Sequence, residues 1–259
     1  MAGYRNLVLS PVGDESLHPT WLSAPDERQF DLGLIYFGSQ GDRYRDEAEY
    51  YLRQRGFKFH LLDALMTQMG PRLAEYDYIW CPDDDLASNT ADVNRMFSIA
   101  REFRLAISQP AVAEGEVSHA TVRQQPGLLL RYSQFVEVMC PVFSREALAR
   151  VRSTLVANKS AWGVDWAWTR LIPAEELAII DAVGVHHTRP LQSGKGYDRM
   201  RELGVNPLED LVQMSAQYGV SKRRRRQIKK GRLRVRAVTL DGATTWVGPR
   251  WWQLWQAAS

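Results

Sequence analysis

Apolar runs alternate with amphipathic stretches through the first two thirds of the chain. Asn6–Val12 (Asn-Leu-Val-Leu-Ser-Pro-Val) predicts a strand that ends in the polar loop Gly13-Asp14-Glu15-Ser16-Leu17-His18. Asp31–Phe37 predicts a second strand, followed by the turn-forming loop Gly38-Ser39-Gln40-Gly41-Asp42. Arg45–Arg55 and Leu61–Met69 fit helices, Tyr78–Cys81 a short buried strand stopped by Pro82, and Ala91–Arg104 another helix. Alternation of this kind predicts a parallel sheet with crossover helices. Leu105–Ser108 reads as a short strand. Ser118–Val122 and Tyr132–Val138 read as strands of mixed, more antiparallel character, and Arg145–Leu155 as a helix. Trp162-Gly163-Val164-Asp165-Trp166 is a turn opening a further helix, and Leu177–Val185 a last strand that delivers His186-His187-Thr188-Arg189-Pro190. Beyond Leu191 the pattern weakens to a flexible loop (192–196), a helix over Pro207–Tyr218 and a basic stretch over Ser221–Arg236. The expected organisation is a catalytic-looking α/β domain over 1–197 and an extension over 198–259, with no internal repeat.

Composition narrows this picture without redirecting it. At 259 residues, 45% hydrophobic and 24% charged, the chain can bury a full core and is not disordered as a whole. No run is long enough to span a bilayer, and Met1–Pro11 lacks a small-residue cleavage site, so the expected location is cytoplasmic. Cys81 and Cys140 lie in apolar surroundings without metal-ligand spacing and read as buried thiols. The net charge of +3 conceals an asymmetry: ten cations between Lys222 and Arg236, with no acid among them, leave the rest of the chain at −7. Trp246, Trp251, Trp252 and Trp255 follow that block. A solvated charge block, a polybasic contact with an anionic membrane surface, and nucleic-acid binding are the three readings of such a segment, and no base-reading module accompanies it.

The strongest chemical signal is Asp83-Asp84-Asp85, placed just past the Tyr78–Cys81 strand. That edge of an open α/β sheet is where ligands bind. Adjacent carboxylates raise one another's pKa unless a cation holds them ionised, and Asp83 and Asp85 can reach one side of a turn together. Mn2+ or Mg2+ completed by phosphate oxygens suits these residue types. The alternative is a helix cap, with Asp85 or Ser88 capping the following helix. Neither a GxGxxG nor a GxxxxGK[ST] sequence is present.

Three passages carry a resemblance: Tyr76-Asp77-Tyr78-Ile79-Trp80-Cys81-Pro82-Asp83-Asp84-Asp85-Leu86; Phe135-Val136-Glu137-Val138-Met139-Cys140-Pro141-Val142-Phe143-Ser144; and Trp162-Gly163-Val164-Asp165 with Ile180-Asp181 and a downstream histidine. Together, over about Asn6–Pro190, they resemble the domain-of-unknown-function 707 family, which looks like a GT-A type glycosyltransferase. The resemblance implies a Rossmann-like mixed central sheet flanked by helices. It also implies a DxD motif in which Asp83 and Asp85 hold the metal on the diphosphate of a nucleotide sugar, with Asp84 nearest the sugar or ribose. His187 would complete the metal shell, with His186 in reserve, since successive strand residues face opposite ways. Arg189 would oppose the leaving diphosphate. Asp165 would be the base of an inverting transfer, although an Asp there can also cap a helix. Glu137 would line the cavity near the acceptor or be a buried structural pair, and Trp162, Trp166 and Trp168 would form a sugar platform or core. In such folds the loops after the first two strands hold base and ribose, which nominates Asp14, Ser16 and Asp42, with Lys58 and Asp63 as further candidates.

The function expected on these grounds is metal-dependent sugar transfer from a nucleotide sugar to a glycan or lipid-linked acceptor in polysaccharide assembly. The basic segment 222–236 would give peripheral contact with the inner membrane face. A metal-dependent nucleotidyl or phosphoryl transferase or hydrolase would use the same carboxylates. A non-catalytic nucleic-acid- or membrane-binding module would use only the basic segment.

Overall fold

The computed structural model describes residues 5–248. Met1–Tyr4 and Trp251, Trp252 and Trp255 of the tryptophan-rich end lie outside the described residues. In chain order the elements are β1 (Asn6–Val12), α1 (His18–Trp21), β2 (Asp31–Tyr36), β3 (Tyr50–Arg53), α2 (Lys58–Met69), β4 (Tyr78–Trp80), β5 (Leu86–Ala87), α3 (Thr90–Glu102), β6 (Ile107–Glu114), β7 (Leu128–Arg131), β8 (Val142–Ser144), α4 (Arg145–Leu155), α5 (Val164–Leu171), β9 (Leu177–His187), α6 (Lys195–Glu202), α7 (Pro207–Gln217), α8 (Lys222–Lys229), β10 (Val235–Thr239) and β11 (Thr244–Val247).

All the strands join one mixed sheet in the order β11-β10-β7-β9-β6-β8-β4-β1-β2-β3, with β5 paired to β9. β1 is buried along its whole length because parallel neighbours, β2 and β4, and helix layers cover both its faces. Its side chains alternate between two cores. Leu7 and Leu9 pack with Leu61, Leu62 and Leu65 of α2 and with Val151 of α4, whereas Val8 faces Val93, Met96 and Phe97 of α3. Each fully buried Leu or Phe contributes roughly 1.5–3 kcal/mol.

From β1 the chain winds outward to β2 and β3 and then returns to place β4 on β1's other side. This reversal of strand order opens a crevice beyond the carboxyl ends of β1 and β4. β8 is antiparallel to both β4 and β6, and β6 runs parallel to β9, so the carboxyl ends of β1, β2, β4, β6 and β9 share one edge.

Four stretches differ from the pattern. Arg45–Arg55 is not a helix but a 3-10 turn (Arg45–Glu47) and the edge strand β3, since Tyr50, Tyr51 and Leu52 pair with β2. The strand expected over Leu105–Ser108 runs on to Glu114 as β6. It passes Pro110 at a bulge, beyond the point where β8 pairing ends. Ser118–Val122 holds a 3-10 turn at Ala120–Val122. Tyr132–Val138 is irregular, its backbone satisfied in part by side chains: the Phe135 N–H donates to Ser133 Oγ (3.2 Å) and the Glu137 N–H to Gln109 Oε1 (2.6 Å).

Among the described residues past 197, two strands extend the edge of the sheet. β10 pairs with β7, and Ala237, Val247 and Leu128 share a small core. α7 packs on α5 through Met214, at a site that only glycine fits: Gly163 has φ +92°, and a Cβ there would stand 2.6 Å from Met214 Cβ. The basic stretch is ordered into α8, with Ser221 Oγ accepting from the Arg224 N–H (3.2 Å) and Ile228 buried. Between β7 and β9 lies a buried ion pair, Arg131 Nε to Asp181 Oδ2 (2.7 Å) and Nη2 to Oδ1 (3.0 Å); the guanidinium also donates to the carbonyls of Thr121 and Arg123.

Candidate active site at the acidic rim

Pro82 ends β4, and the chain leaving it is pinned by two backbone bonds, Cys81 N–H to Pro141 C=O (2.8 Å) and Asp83 N–H to Met139 C=O (2.9 Å). The three aspartates that follow have different surroundings. Asp83, 40% exposed, receives the Lys58 ammonium at 2.7 Å. Desolvation, with Asp85 and Asp84 beside it, pushes its pKa up to about 6 against the lowering effect of Lys58.

Asp84 is buried, and both its oxygens are taken: Oδ2 accepts from the Gly13 N–H (2.7 Å) and Oδ1 from Arg189 (2.8 Å). Its carbonyl accepts from the Leu17 N–H (2.8 Å), and Arg189 also reaches the Glu15 carbonyl (3.0 Å). Asp84 and Arg189 therefore brace the turn against the loop after β1.

Asp85 is different again. Its Oδ2 lies 3.5 Å from His187 Nε2, whereas its buried Oδ1 has no hydrogen-bond partner. The Thr188 N–H and Oγ1 hold its carbonyl (3.1 and 2.9 Å). β5 and β9 bring the two residues together, with Leu86 opposite His187. His187 is 7% exposed and its Nδ1 donates to the Glu116 carbonyl (2.9 Å), which aims Nε2 at Asp85. The close approach needs Gly115, at φ +88°, where a Cβ would meet the His187 carbonyl oxygen at 1.9 Å. The bond to Asp85 raises the His187 pKa to about 9. His186 faces the other way, 48% exposed, toward Glu114.

The cap alternatives fail on geometry. Helix α3 is capped by Asn89, whose side chain accepts from the Asp92 N–H, and not by Asp85 or Ser88. Helix α5 starts at Val164 with Gly163 at its cap position, so Asp165 lies inside the first turn. Asp165 is 5% exposed, and burial pushes its pKa up to about 7; His119 opposes that shift and Glu137 adds to it. Glu137 is paired, its Oε1 3.0 Å from His119 Nδ1. The His119 ring lies on Phe135 (4.5 Å) and edge-on to Trp166 (5.7 Å). Trp166 and Trp168 are core, whereas half-buried Trp162 donates to the Tyr197 hydroxyl (3.3 Å). Burial raises the pKa of that phenol, and both Asp83 and Glu137 add to the rise.

The residues nominated for the nucleotide fall into separate places. Asp14 accepts from Tyr36 Oη, from the Ser39 N–H (3.0 Å) and hydroxyl (3.1 Å), and from Lys195 (3.2 Å), which together hold its carboxyl far below the usual range. Ser16 Oγ meets His18 Nδ1 at 2.9 Å, and His18 Nε2 meets Glu47 at 3.0 Å. Asp42 is engaged by Arg45 (3.1 Å) and Arg53 (3.8 Å), with no bond to the acidic turn among the described residues. Asp63 pairs with Arg152 (2.6 Å). Sequence reasoning did not single out His119, Lys195 or Tyr197. Lys195 had a local signal, a cation between two glycines, whereas His119 had none.

A metal ion fits this rim in a restricted way. Among the described residues no group of three His, Cys, Asp or Glu side chains converges to hold one. Asp85, with its unpartnered Oδ1, and His187, once its Nε2 gives up the proton directed at Asp85, would supply two donors, a number that suits a hard cation when substrate phosphates and water complete its shell.

A family model described as "Protein of unknown function (DUF707)" matches residues 69–132 and 131–238. The chain belongs to this family. The DUF707 match thus runs past Tyr197, through α6, α7 and α8 and most of β10. No curated protein matches the sequence. Among solved structures it is similar to S. aureus TarS 1–349 in complex with UDP-GlcNAc, at 10% identity and TM-score 0.51, covering 87% of this chain and 70% of that one. It is likewise similar to GalNAc-T7 with UDP, GalNAc and Mn2+, at 10% identity and TM-score 0.51, covering 83% of this chain and 54% of that one. The chain spans 44% of the longer S. aureus TarS chain. These likenesses show the fold, a GT-A glycosyltransferase arrangement. Among the described residues no helix is long and apolar enough to cross a membrane.

Proposed function

We propose that this DUF707 protein is a metal-dependent glycosyltransferase that moves a sugar from a nucleotide-sugar donor to a glycan or lipid-linked acceptor. The observation that carries the reading is Asp85, its buried Oδ1 unpartnered and its Oδ2 facing His187, at the sheet edge where α/β folds bind ligands. UDP-GlcNAc in the TarS structure, and UDP with Mn2+ in that of GalNAc-T7, support the donor class and the metal.

Asp85 and His187 would hold the ion, with Asp83 on the same turn as a third candidate. A bound Mn2+ or Mg2+ supplies positive charge to the departing diphosphate. Arg189 and Lys195 add cations on the same side, and Asp14 and Ser16 sit in the loop that would meet the nucleoside. The acceptor oxygen attacks the anomeric carbon as the bond from that carbon to the diphosphate oxygen breaks. The acceptor's proton passes to the Asp165 carboxylate, one base opposite one leaving group, which gives inversion.

With its pKa at about 7, Asp165 is neutral below that pH and a base above it, so kcat/KM is expected to rise with pH and level off above about 7. Asp165→Asn is expected to lower kcat by roughly 10²- to 10⁴-fold and to abolish that rise. Product analysis on the native protein tests the function itself: sugar transfer releases intact nucleoside diphosphate, and release of monophosphate or pyrophosphate instead would identify a nucleotidyl or phosphoryl transferase.

The acid-free, exposed cations of α8 support peripheral contact with the inner face of an anionic membrane that presents the acceptor. Each charge near such a surface adds about 1 kcal/mol, so neutralising Arg223, Arg226 and Lys229 is expected to weaken binding to phosphatidylglycerol vesicles by about 10²-fold at low salt. Cosedimentation that is equal with neutral phosphatidylcholine vesicles would refute the contact.

A further inference from the structure

Lys58 is the first residue of α2, at the positive end of the helix dipole, where a cation is disfavoured. Its ammonium is nonetheless fixed there by three oxygens, Asp83 Oδ1 at 2.7 Å, the Val138 carbonyl at 2.7 Å and the Met139 carbonyl at 2.6 Å, one for each of its N–H donors. The side chain is only 17% exposed. Met139 C=O also accepts from the Asp83 N–H, so Lys58 ties the acidic turn and the loop carrying Glu137 into one unit. Asp85, two residues away from Asp83, has no such cation on its Oδ1.

We propose that Lys58 is a built-in competitor for the site's metal ion: its ammonium keeps Asp83 out of the shell, and only Asp85 and His187 meet an ion in the donor-free protein. This inference rests on the metal-dependent reading above. Its consequence is order. The ion binds weakly alone, and the diphosphate of the donor supplies the oxygens that Lys58 denies it, so metal and donor enter together.

The test titrates Mn2+ alone into the donor-free protein and follows the loss of its free-ion electron paramagnetic resonance signal. Lys58→Met is expected to tighten Mn2+ binding by about tenfold or more, because a positive charge leaves and Asp83 becomes available. Asp83→Asn in the native background is expected to change the affinity by less than about twofold. In the Lys58→Met background the same substitution is expected to erase the gain, a coupling that a merely structural lysine would not produce. Lys58→Arg is expected to keep the weak native affinity.

Unchanged or weaker Mn2+ binding in folded Lys58→Met would overturn the proposal while leaving the metal reading intact. Should Lys58→Met not fold, Asp83→Asn alone still decides, since a tenfold or greater loss of affinity there would put Asp83 in the shell despite Lys58. Absence of Mn2+ binding in both native protein and Lys58→Met would overturn the metal reading and this proposal with it.

Discussion

Asp85→Ala is expected to cut donor turnover by on the order of 10³-fold and to cost about 1–3 kcal/mol of stability at neutral pH, leaving the protein folded. The asymmetry follows from the carboxylate's surroundings. Asp85 Oδ1 is buried without a partner, so removing it relieves an unsatisfied group, and the backbone at Asp85 stays held by Thr188; the stability cost is the His187 imidazolium left without its carboxylate. What is lost is the carboxylate that would hold the ion, and the anion beside His187. Asp84 is its structural opposite, with both oxygens bonded across the crevice. Release of nucleoside diphosphate at saturating Mn2+, paired with a thermal melt, checks the prediction. A variant that retained native turnover would remove Asp85 from the chemistry.

Asp181→Ala is expected to cost about 3–5 kcal/mol of stability, read as a lowered urea midpoint at unchanged slope. Asp181 and Arg131 are 0% and 4% exposed, and two parallel bonds join them. Burial raises the Asp181 pKa, and Arg131 opposes the shift. Removing the carboxylate takes away the counter-charge around which β7, β9 and the chain at Thr121–Gln125 are organised, since Asp181 Oδ1 also accepts from the Gln125 N–H (2.8 Å). A double replacement, Arg131→Met with Asp181→Leu, is expected to recover only part of the loss, because the Gln125 N–H and the Thr121 and Arg123 carbonyls lose their partners along with the ion pair. A loss under about 1 kcal/mol in the single variant would show the pair to be dispensable.

Local sequence carried the parts of this fold that local physics decides. β1, α4 and the strand feeding Asp83 were legible because an unbroken apolar run or a helical stripe has few other ways to be buried. The stretch 45–55 misled because its charges mimic a helix face, whereas Tyr50–Leu52 are edge-strand residues whose pairing with β2 is set by register across the fold. Residues 132–138 are apolar enough for a strand, yet they give their backbone donors to Ser133 and Gln109 side chains. The basic stretch has the composition of a solvated block. Ile228 and the pairing of β10 with β7 order it, and both are long-range contacts.

The site divides in the same way. The acidic turn announced itself by residue type, but the division of labour among its aspartates depends on Gly13, Lys58 and the segment carrying His187 and Arg189, which the fold brings from three distant parts of the chain. His119 is a lone histidine in sequence and becomes informative only beside Glu137 and Asp165.

The proposed sugar transfer depends on one binding event, a nucleoside diphosphate held at the rim through a divalent ion. Isothermal calorimetry of UDP into the native protein, with Mn2+ and again with the ion chelated, tests it most directly. The predicted result is saturable 1:1 binding that appears with Mn2+ and disappears with chelator. Binding of equal strength without the ion, or no binding of UDP or any other nucleoside diphosphate at any Mn2+ concentration, would contradict it.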